Sequence, residues 1–92
     1  MSAAKNAVLR KVHFTGICGT AMGSLAAALR DQGVTVTGSD ENVYPPMSTF
    51  LRDKGITITA GFSAANLPAD ADFVVIGNAM RRGNPEVEAV LN

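Results

Sequence analysis

Eight residues near the amino terminus carry the pattern with the most definite chemistry: Gly16-Ile17-Cys18-Gly19-Thr20-Ala21-Met22-Gly23. A glycine-rich turn between a strand and a helix aims several backbone N–H groups at one place, and the helix start adds partial positive charge there. A diphosphate is the natural occupant. Gly16 makes the bend, and the amides of Cys18, Gly19, Thr20, Ala21 and Met22 are candidate donors. Against the pattern G-x-G-x-x-G/A the sequence has glycine first, Cys18 second and Ala21 third, where alanine is an accepted variant. The second glycine is the one that lets backbone and pyrophosphate touch, so the Cβ of Cys18 counts against an ordinary dinucleotide site. A tight strand-to-helix turn with no ligand is the competing reading.

Further along, Asp40 follows a β-branched run, at a strand end where a carboxylate would accept hydrogen bonds from ribose hydroxyls and disfavour a 2′-phosphate. An Asx-turn residue is the plainer alternative. Ser39 beside it either assists or caps the loop. The segment Gly77-Asn78-Ala79-Met80-Arg81-Arg82-Gly83 opens at the same edge after the fourth strand and faces a ligand from the other side. Arg81 and Arg82 there either neutralise phosphate or form a solvated surface, the commoner role of paired arginines in a polar loop. His13, inside a strand, reads as a sheet histidine with satisfied hydrogen bonds rather than a catalytic base. Cys18 has the place of a low-pKa thiol at a helix start, but without a visible His partner or second cysteine a small turn residue is the simpler reading.

These residues need a frame to hold them. Lys11–Thr15 reads as a strand entering the glycine-rich turn, and Leu25, Ala28 and Leu29 recur at helical spacing until Gly33 ends the pattern. Val34–Thr37 is a second strand that opens into a loop at Gly38-Ser39-Asp40. Pro45 and Pro46 restart the chain into a helix from Met47 to Lys54. Arg30-Asp-Gln-Gly-Val-Thr-Val-Thr37 is echoed by Arg52-Asp-Lys-Gly-Ile-Thr-Ile-Thr59, so two successive βα units are the economical explanation. After the third strand comes Ser63 to Ala71, a helical turn and loop interrupted by Pro68. The fourth strand runs from Asp72 to Gly77, and Asn84-Pro85-Glu86 caps and starts a last helix reaching Leu91.

Strands alternating with helices imply an α/β fold: a Rossmann-like open parallel sheet in the order 3-2-1-4 with helices on both faces. Phe73 to Ile76 is apolar at every position, as expected of a strand buried on both faces, which makes the first and fourth strands central. Leu25, Leu29, Phe50, Leu51, Phe73, Val75 and Ile76 are the candidate core. A further strand is expected beside the fourth, and without it that edge would be prone to pairing with a second copy of the chain.

Composition narrows the field. Ninety-two residues make one domain, here a leader over 1–10 and a domain over 11–92. A net charge of zero, with 17% charged residues, gives no electrostatic pull on nucleic acid or anionic lipid. The longest apolar stretches are strand-sized, the leader lacks an apolar h-region, and Cys18 is the only cysteine, so a cytoplasmic protein is expected.

The string His13-Phe-Thr-Gly-Ile-Cys-Gly-Thr-Ala-Met-Gly23 followed by Gly38-Ser-Asp40 resembles the first domain of the Mur ligases, ATP-dependent enzymes of bacterial cell-wall precursor synthesis. Asn42-Val-Tyr-Pro-Pro-Met-Ser48, Gly77-Asn-Ala-Met80 and Arg82-Gly-Asn-Pro85 are similar to the murein peptide ligase branch, which recycles cell-wall peptides. The sister branch that adds L-alanine to UDP-N-acetylmuramate usually carries Gly-Ile-Gly-Gly-Ala-Gly-Met at the turn, and this chain departs from that at Cys18, Thr20 and Ala21.

The resemblance implies an enzyme that joins UDP-N-acetylmuramate to L-alanyl-γ-D-glutamyl-meso-diaminopimelate. ATP would phosphorylate the muramoyl carboxylate before the peptide amine attacks. It assigns the diphosphate to Gly16 and Cys18 through Met22, the uridine side to Ser39 and Asp40, and the opposite wall to Asn78 and Ala79. ATP and magnesium would belong to other domains, since no G-x-x-x-x-G-K-[S/T] occurs in these residues. No metal site or catalysis is expected of this domain alone. The L-alanine ligase, a nicotinamide-dependent dehydrogenase domain and a ligandless regulatory domain are the alternatives.

Overall fold

The protein is described from a computed structural model over residues 9–77 and 80–91. Four strands, β1 (Lys11–Thr15), β2 (Thr35–Asp40), β3 (Thr57–Ala60) and β4 (Phe73–Ile76), form one parallel sheet in the order β3-β2-β1-β4. Three helices accompany them: α1 (Thr20–Asp31), α2 (Met47–Asp53) and α3 (Pro85–Leu91), with a 3-10 turn over Ala64–Asn66. The expected topology and strand order are both present.

The internal sequence repeat has a structural meaning. At the end of α1, Gly33 sits at φ +94°, its amide donates to Arg30 O and the next amide, that of Val34, donates to Leu29 O. At the end of α2, Gly55 at φ +86° and Ile56 make the same pair of bonds to Arg52 O and Leu51 O. Both are Schellman caps, in which a left-handed residue lets the last carbonyls find donors, and only glycine adopts that conformation without penalty. Each cap turns the chain directly into a β-branched strand.

Side chains alternate across a sheet, and partners in register share a face. Val12, Phe14, Val36 and Ile58 therefore point to one face, where they pack with Ile17, Ala26, Val34, Leu51 and Ile56 under α1 and α2. His13, Thr15, Thr37 and Ser39 point to the other face, where Glu86 of α3 meets them. The sheet has an oily side and a polar side.

Several expectations about burial need correcting. In α1 the buried residues are Gly23, Ala26 and Ala27, whereas Leu25 is 43% exposed and Leu29 only partly covered. Small residues let the helix axis lie close to the sheet, which pushes the leucines to its flanks. A Cβ on Gly23 would come within 2.7 Å of Met47 Sδ, so α1 also meets α2 through its smallest residue. Phe50 and Phe73 are likewise exposed, and Leu51 is the predicted helix residue that does enter the core. Among the described residues β4 lies at an edge, half-buried rather than covered on both faces.

The second strand also runs further than its composition suggests. Gly38, Ser39 and Asp40 do not open into a loop but pair with Phe14 and Thr15 on one side and Ile58, Thr59 and Ala60 on the other. A strand laddered on both sides overrides the low intrinsic preference of Gly and Asp for β structure. Glycine at 38 is required for space: a Cβ there would lie 2.4 Å from Ile17 Cδ1.

Candidate functional site

At the carboxyl edge of β1 the chain bends at Gly16, φ +90°, and enters α1 four residues later. The amides of Gly16 and Ile17 both donate to Ser39 O, at 2.8 and 3.1 Å, which fixes the turn to the end of β2. On the other side Gly77 N donates to Thr15 O at 2.9 Å. The side chain of Ile17 goes down into the core, fully buried in the space Gly38 leaves.

Of the five amides expected to face a diphosphate, two already have partners. Cys18 N donates to Asp40 Oδ2 at 2.9 Å, and Gly19 N donates to Gly16 O at 3.3 Å. The amides of Thr20, Ala21 and Met22 have no acceptor among the described residues. They are the first N–H groups of a twelve-residue helix with no acidic side chain in its first turn. Orphan donors and the helix dipole therefore act at one spot, with no competing internal anion on the helix itself.

A cavity of about 460 Å³ opens over these amides. Gly16, Cys18, Gly19, Thr20, Ala21 and Met22 form its floor, Asp40, Asn42, Tyr44, Pro46 and Met47 one wall, and Gly77 and Met80 the other. Gly19 is open on its cavity side, since a Cβ there would meet nothing closer than 3.7 Å, and Met80 lies over Gly16. Asn42, Tyr44, Pro46 and Met47 had no site role from sequence, whereas Met80 belongs to the Gly77–Gly83 segment expected to face a ligand. The only signal for those four was that they fall within a stretch quoted for the family resemblance.

Asp40 is 7% exposed, and each of its carboxylate oxygens accepts a backbone amide, Oδ2 from Cys18 and Oδ1 from Asn42 at 2.9 Å. It ties the glycine-rich turn to the loop that forms the cavity wall. A carboxylate accepts about four hydrogen bonds, so a second lone pair on each oxygen is left for a hydroxyl on the cavity side. Ser39, expected beside it, points to the opposite face of the sheet and donates to Glu86 Oε1 at 2.6 Å. Only its carbonyl serves the turn. Asn78 and Ala79, expected on the opposite wall, lie outside the described residues.

The remaining candidates resolve plainly. The Cys18 thiol is pushed above its ordinary value, first by burial and then by the Asp40 carboxylate, with the Arg52 charge acting weakly the other way. It is not an activated nucleophile. His13 is buried, with Nδ1 2.8 Å from Thr37 Oγ1 and Nε2 2.9 Å from Glu86 Oε1. Arg82 makes a two-pronged ion pair with Glu88, at 2.7 and 3.0 Å, and its hydrogen bonds hold the Glu88 carboxyl down at about 2. Arg81 lines a separate shallow recess with Glu41 and Phe62. Among the described residues no three His, Cys, Asp or Glu side chains come together as metal ligands.

Donors without acceptors among the described residues thus stand at a helix start, at the carboxyl edge of a parallel sheet of Rossmann-like topology and beside its point of strand reversal. The chain belongs to the Mur ligase family: the model described as "Mur ligase family, catalytic domain" matches residues 11–92. It is 58% identical over 81 residues to the UDP-N-acetylmuramate–L-alanyl-γ-D-glutamyl-meso-2,6-diaminoheptandioate ligase of Escherichia coli K12, covering 88% of this chain and 18% of that protein. The ligase of the same name from Haemophilus influenzae is 53% identical over 83 residues, covering 90% and 18%.

Among solved structures, a murein peptide ligase from Psychrobacter arcticus 273-4 superposes with a TM-score of 0.84 at 54% identity, over 89% of this chain and 17% of that one. A UDP-N-acetylmuramate–L-alanine ligase from Arthrobacter is 45% identical over 94 residues, covering 97% of this chain and 20% of that protein. The chain spans about a fifth of the length of the curated relatives it matches.

Proposed function

We propose that this chain is the UDP-binding part of a ligase that joins UDP-N-acetylmuramate to L-alanyl-γ-D-glutamyl-meso-diaminopimelate in cell-wall recycling. The observation that carries the reading is the trio of open amides at Thr20, Ala21 and Met22 on the floor of a cavity whose wall holds Asp40. A diphosphate accepts from the amides, and ribose hydroxyls donate to the free lone pairs of Asp40. The two charges are thereby kept at separate ends of one ligand. The resemblance extends Gly16, Cys18 and Gly19 to the diphosphate floor and Asn78 and Ala79 to the far wall.

The names of the relatives support the peptide ligase over the L-alanine ligase, since identity is 53–58% to the former and 45% to the latter. In the complete protein ATP would activate the muramoyl carboxylate as an acyl phosphate and the peptide amine would displace phosphate. Neither a P-loop pattern nor a metal cluster occurs among the described residues, so ATP and magnesium are assigned to other parts of the protein. A cytoplasmic location follows from that substrate chemistry, and no helix described here is long and apolar enough to cross a membrane. The open edge of β4, with Phe73 58% exposed, is where a second copy or another part of the protein would pair.

Side-by-side titration with UDP-N-acetylmuramate and NAD tests the reading. Saturation by the UDP-sugar with no response to NAD is expected, and the reverse result would replace it with a dehydrogenase domain.

A further inference from the structure

Glu86 is fully excluded from solvent, yet it comes from the first turn of α3, a place where an acid ordinarily stays in water. Its carboxylate accepts from five groups among the described residues. Oε1 takes His13 Nε2 at 2.9 Å, Thr15 Oγ1 at 2.8 Å and Ser39 Oγ at 2.6 Å. Oε2 takes Asn66 Nδ2 at 2.7 Å and Ser63 N at 3.2 Å. Burial pushes its pKa up, but the hydrogen bonds from Ser39, Asn66, Thr15 and His13 outweigh that and the net shift is downward. Five groups converging on one carboxylate are the surroundings that favour its ionised form.

Two of the five donors stand directly beneath the glycine-rich turn. Thr15 is the residue before Gly16, and Ser39 is the residue whose carbonyl receives both Gly16 N and Ile17 N. From the other side, Asn84 Oδ1 caps α3 through Glu86 N at 2.8 Å and Val87 N at 3.3 Å, while Asn84 Nδ2 reaches Met80 Sδ at 3.6 Å. Met80 in turn covers Gly16 and lines the cavity. The anion therefore touches the floor support directly, while the backbone N–H of the same residue is tied through Asn84 to the Met80 wall. Stability alone does not account for an acid here, because well-packed apolar groups replace buried charge networks without loss in many proteins. What an apolar side chain lacks is direction: it cannot hold two hydroxyls and an amide at set angles.

We propose that the Glu86 carboxylate is a positioning group for the nucleotide seat, holding the ends of β1 and β2 in the arrangement that leaves the Thr20–Met22 amides open. The role rests on the reading of that seat as a UDP site. It leaves the ligand's own contacts to the turn and acts only through Thr15 and Ser39.

The test uses the complete protein, UDP as the probe, and Glu86→Gln, which keeps the side-chain shape but puts an amide group among donors. Val34→Ala, in the core just before β2 and away from its Asp40 end, serves as a control that loses stability without touching the seat. At a temperature where both remain folded, Glu86→Gln should weaken UDP binding by roughly tenfold or more, the loss of one charge-assisted hydrogen bond. Hydrogen exchange in a peptide spanning Gly16 and Ile17 should quicken, and Val34→Ala should do neither. A lowered melting temperature with UDP affinity and Gly16–Ile17 exchange matching the control would overturn the proposal. Should Glu86→Gln fail to fold, Ser39→Ala removes one donor and keeps the carboxylate, and the same two readouts decide. If the wild-type protein ignores UDP, the UDP reading of the seat fails, and the exchange comparison alone still judges Glu86.

Discussion

The two faces of the sheet solve the same problem with opposite chemistry. Under α1 and α2 the contact is aliphatic and aromatic, made by Val12, Phe14, Val36 and Ile58 against Ile17, Ala26 and Leu51. Under α3 it is a hydrogen-bonded cluster of His13, Thr15, Thr37, Ser39, Asn66 and Glu86. No buried side-chain nitrogen or oxygen among the described residues lacks a partner, so the polar side is closed as completely as the oily one. The apolar face is non-directional and tolerates small shifts, while the polar face fixes angles. That is the face from which the glycine-rich turn is held.

The difference is open to attack from each side. Phe14→Ala should cost most, about 3–5 kcal/mol, because Phe14 is fully buried at the centre of the apolar face and its loss leaves a cavity. Urea unfolding measures this, and a cost under about 1 kcal/mol would mean that the core is not centred on β1. Gly38→Ala comes next, at about 1–3 kcal/mol, because the added methyl collides with Ile17 beneath the turn. Here the melting temperature should fall and UDP affinity should fall with it, since Ile17 is part of the turn. A stable variant with unchanged affinity would show that the turn is not seated on Ile17.

Acid distinguishes the faces more finely. The Glu86 carboxyl lies below its ordinary 4.5 in the folded protein, so its stabilisation is present above that pH and is lost as pH falls through the folded value. Exposed Asp70 and Asp72 are also lowered, so the informative quantity is a difference between variants. The deficit of Glu86→Gln relative to wild type should be largest above about pH 5 and shrink on acidification, whereas the deficit of Phe14→Ala should stay level. Parallel curves for the two variants would mean that Glu86 is not ionised in the fold. The smallest effect belongs to Arg82→Ala: its pair with Glu88 is solvent-exposed, and neither melting temperature nor UDP affinity should move measurably. A clear loss of affinity would return Arg82 to the phosphate site.

Much of the frame was legible in sequence because its signals are local. The repeat ending in Gly33 and Gly55 marks two helix ends whose left-handed glycines are a backbone requirement. Asn84-Pro85-Glu86 gives the last helix its cap, with Asn84 Oδ1 accepting from Glu86 N as its type and place suggest. The burial errors arose where packing outranks composition. Leu25, Phe50 and Phe73 are apolar but stand on flanks and an edge, while Ala26 and Ala27 are buried because the α1 axis lies close to the sheet.

Gly38-Ser39-Asp40 reads as a loop until strands on both sides supply its hydrogen bonds. The site divides in the same way. The strand-to-helix turn at Gly16 and the helix start at Thr20 are local backbone features, legible as such in the sequence. The engagement of the Cys18 amide by Asp40, the rotation of Ser39 away from the cavity, and the burial of Glu86 depend on residues 22, 47 and 71 positions apart in the chain.

The amino-acid sequence by itself determined the order of strands and helices, their glycine-marked ends and the glycine-rich turn, because each depends on backbone preferences a few residues long. Only the tertiary structure decided which amides of that turn are open and that an anion sits behind it. Hydrogen bonds between distant residues have no counterpart in local pattern, and a donor is free or taken only once every neighbour is in place.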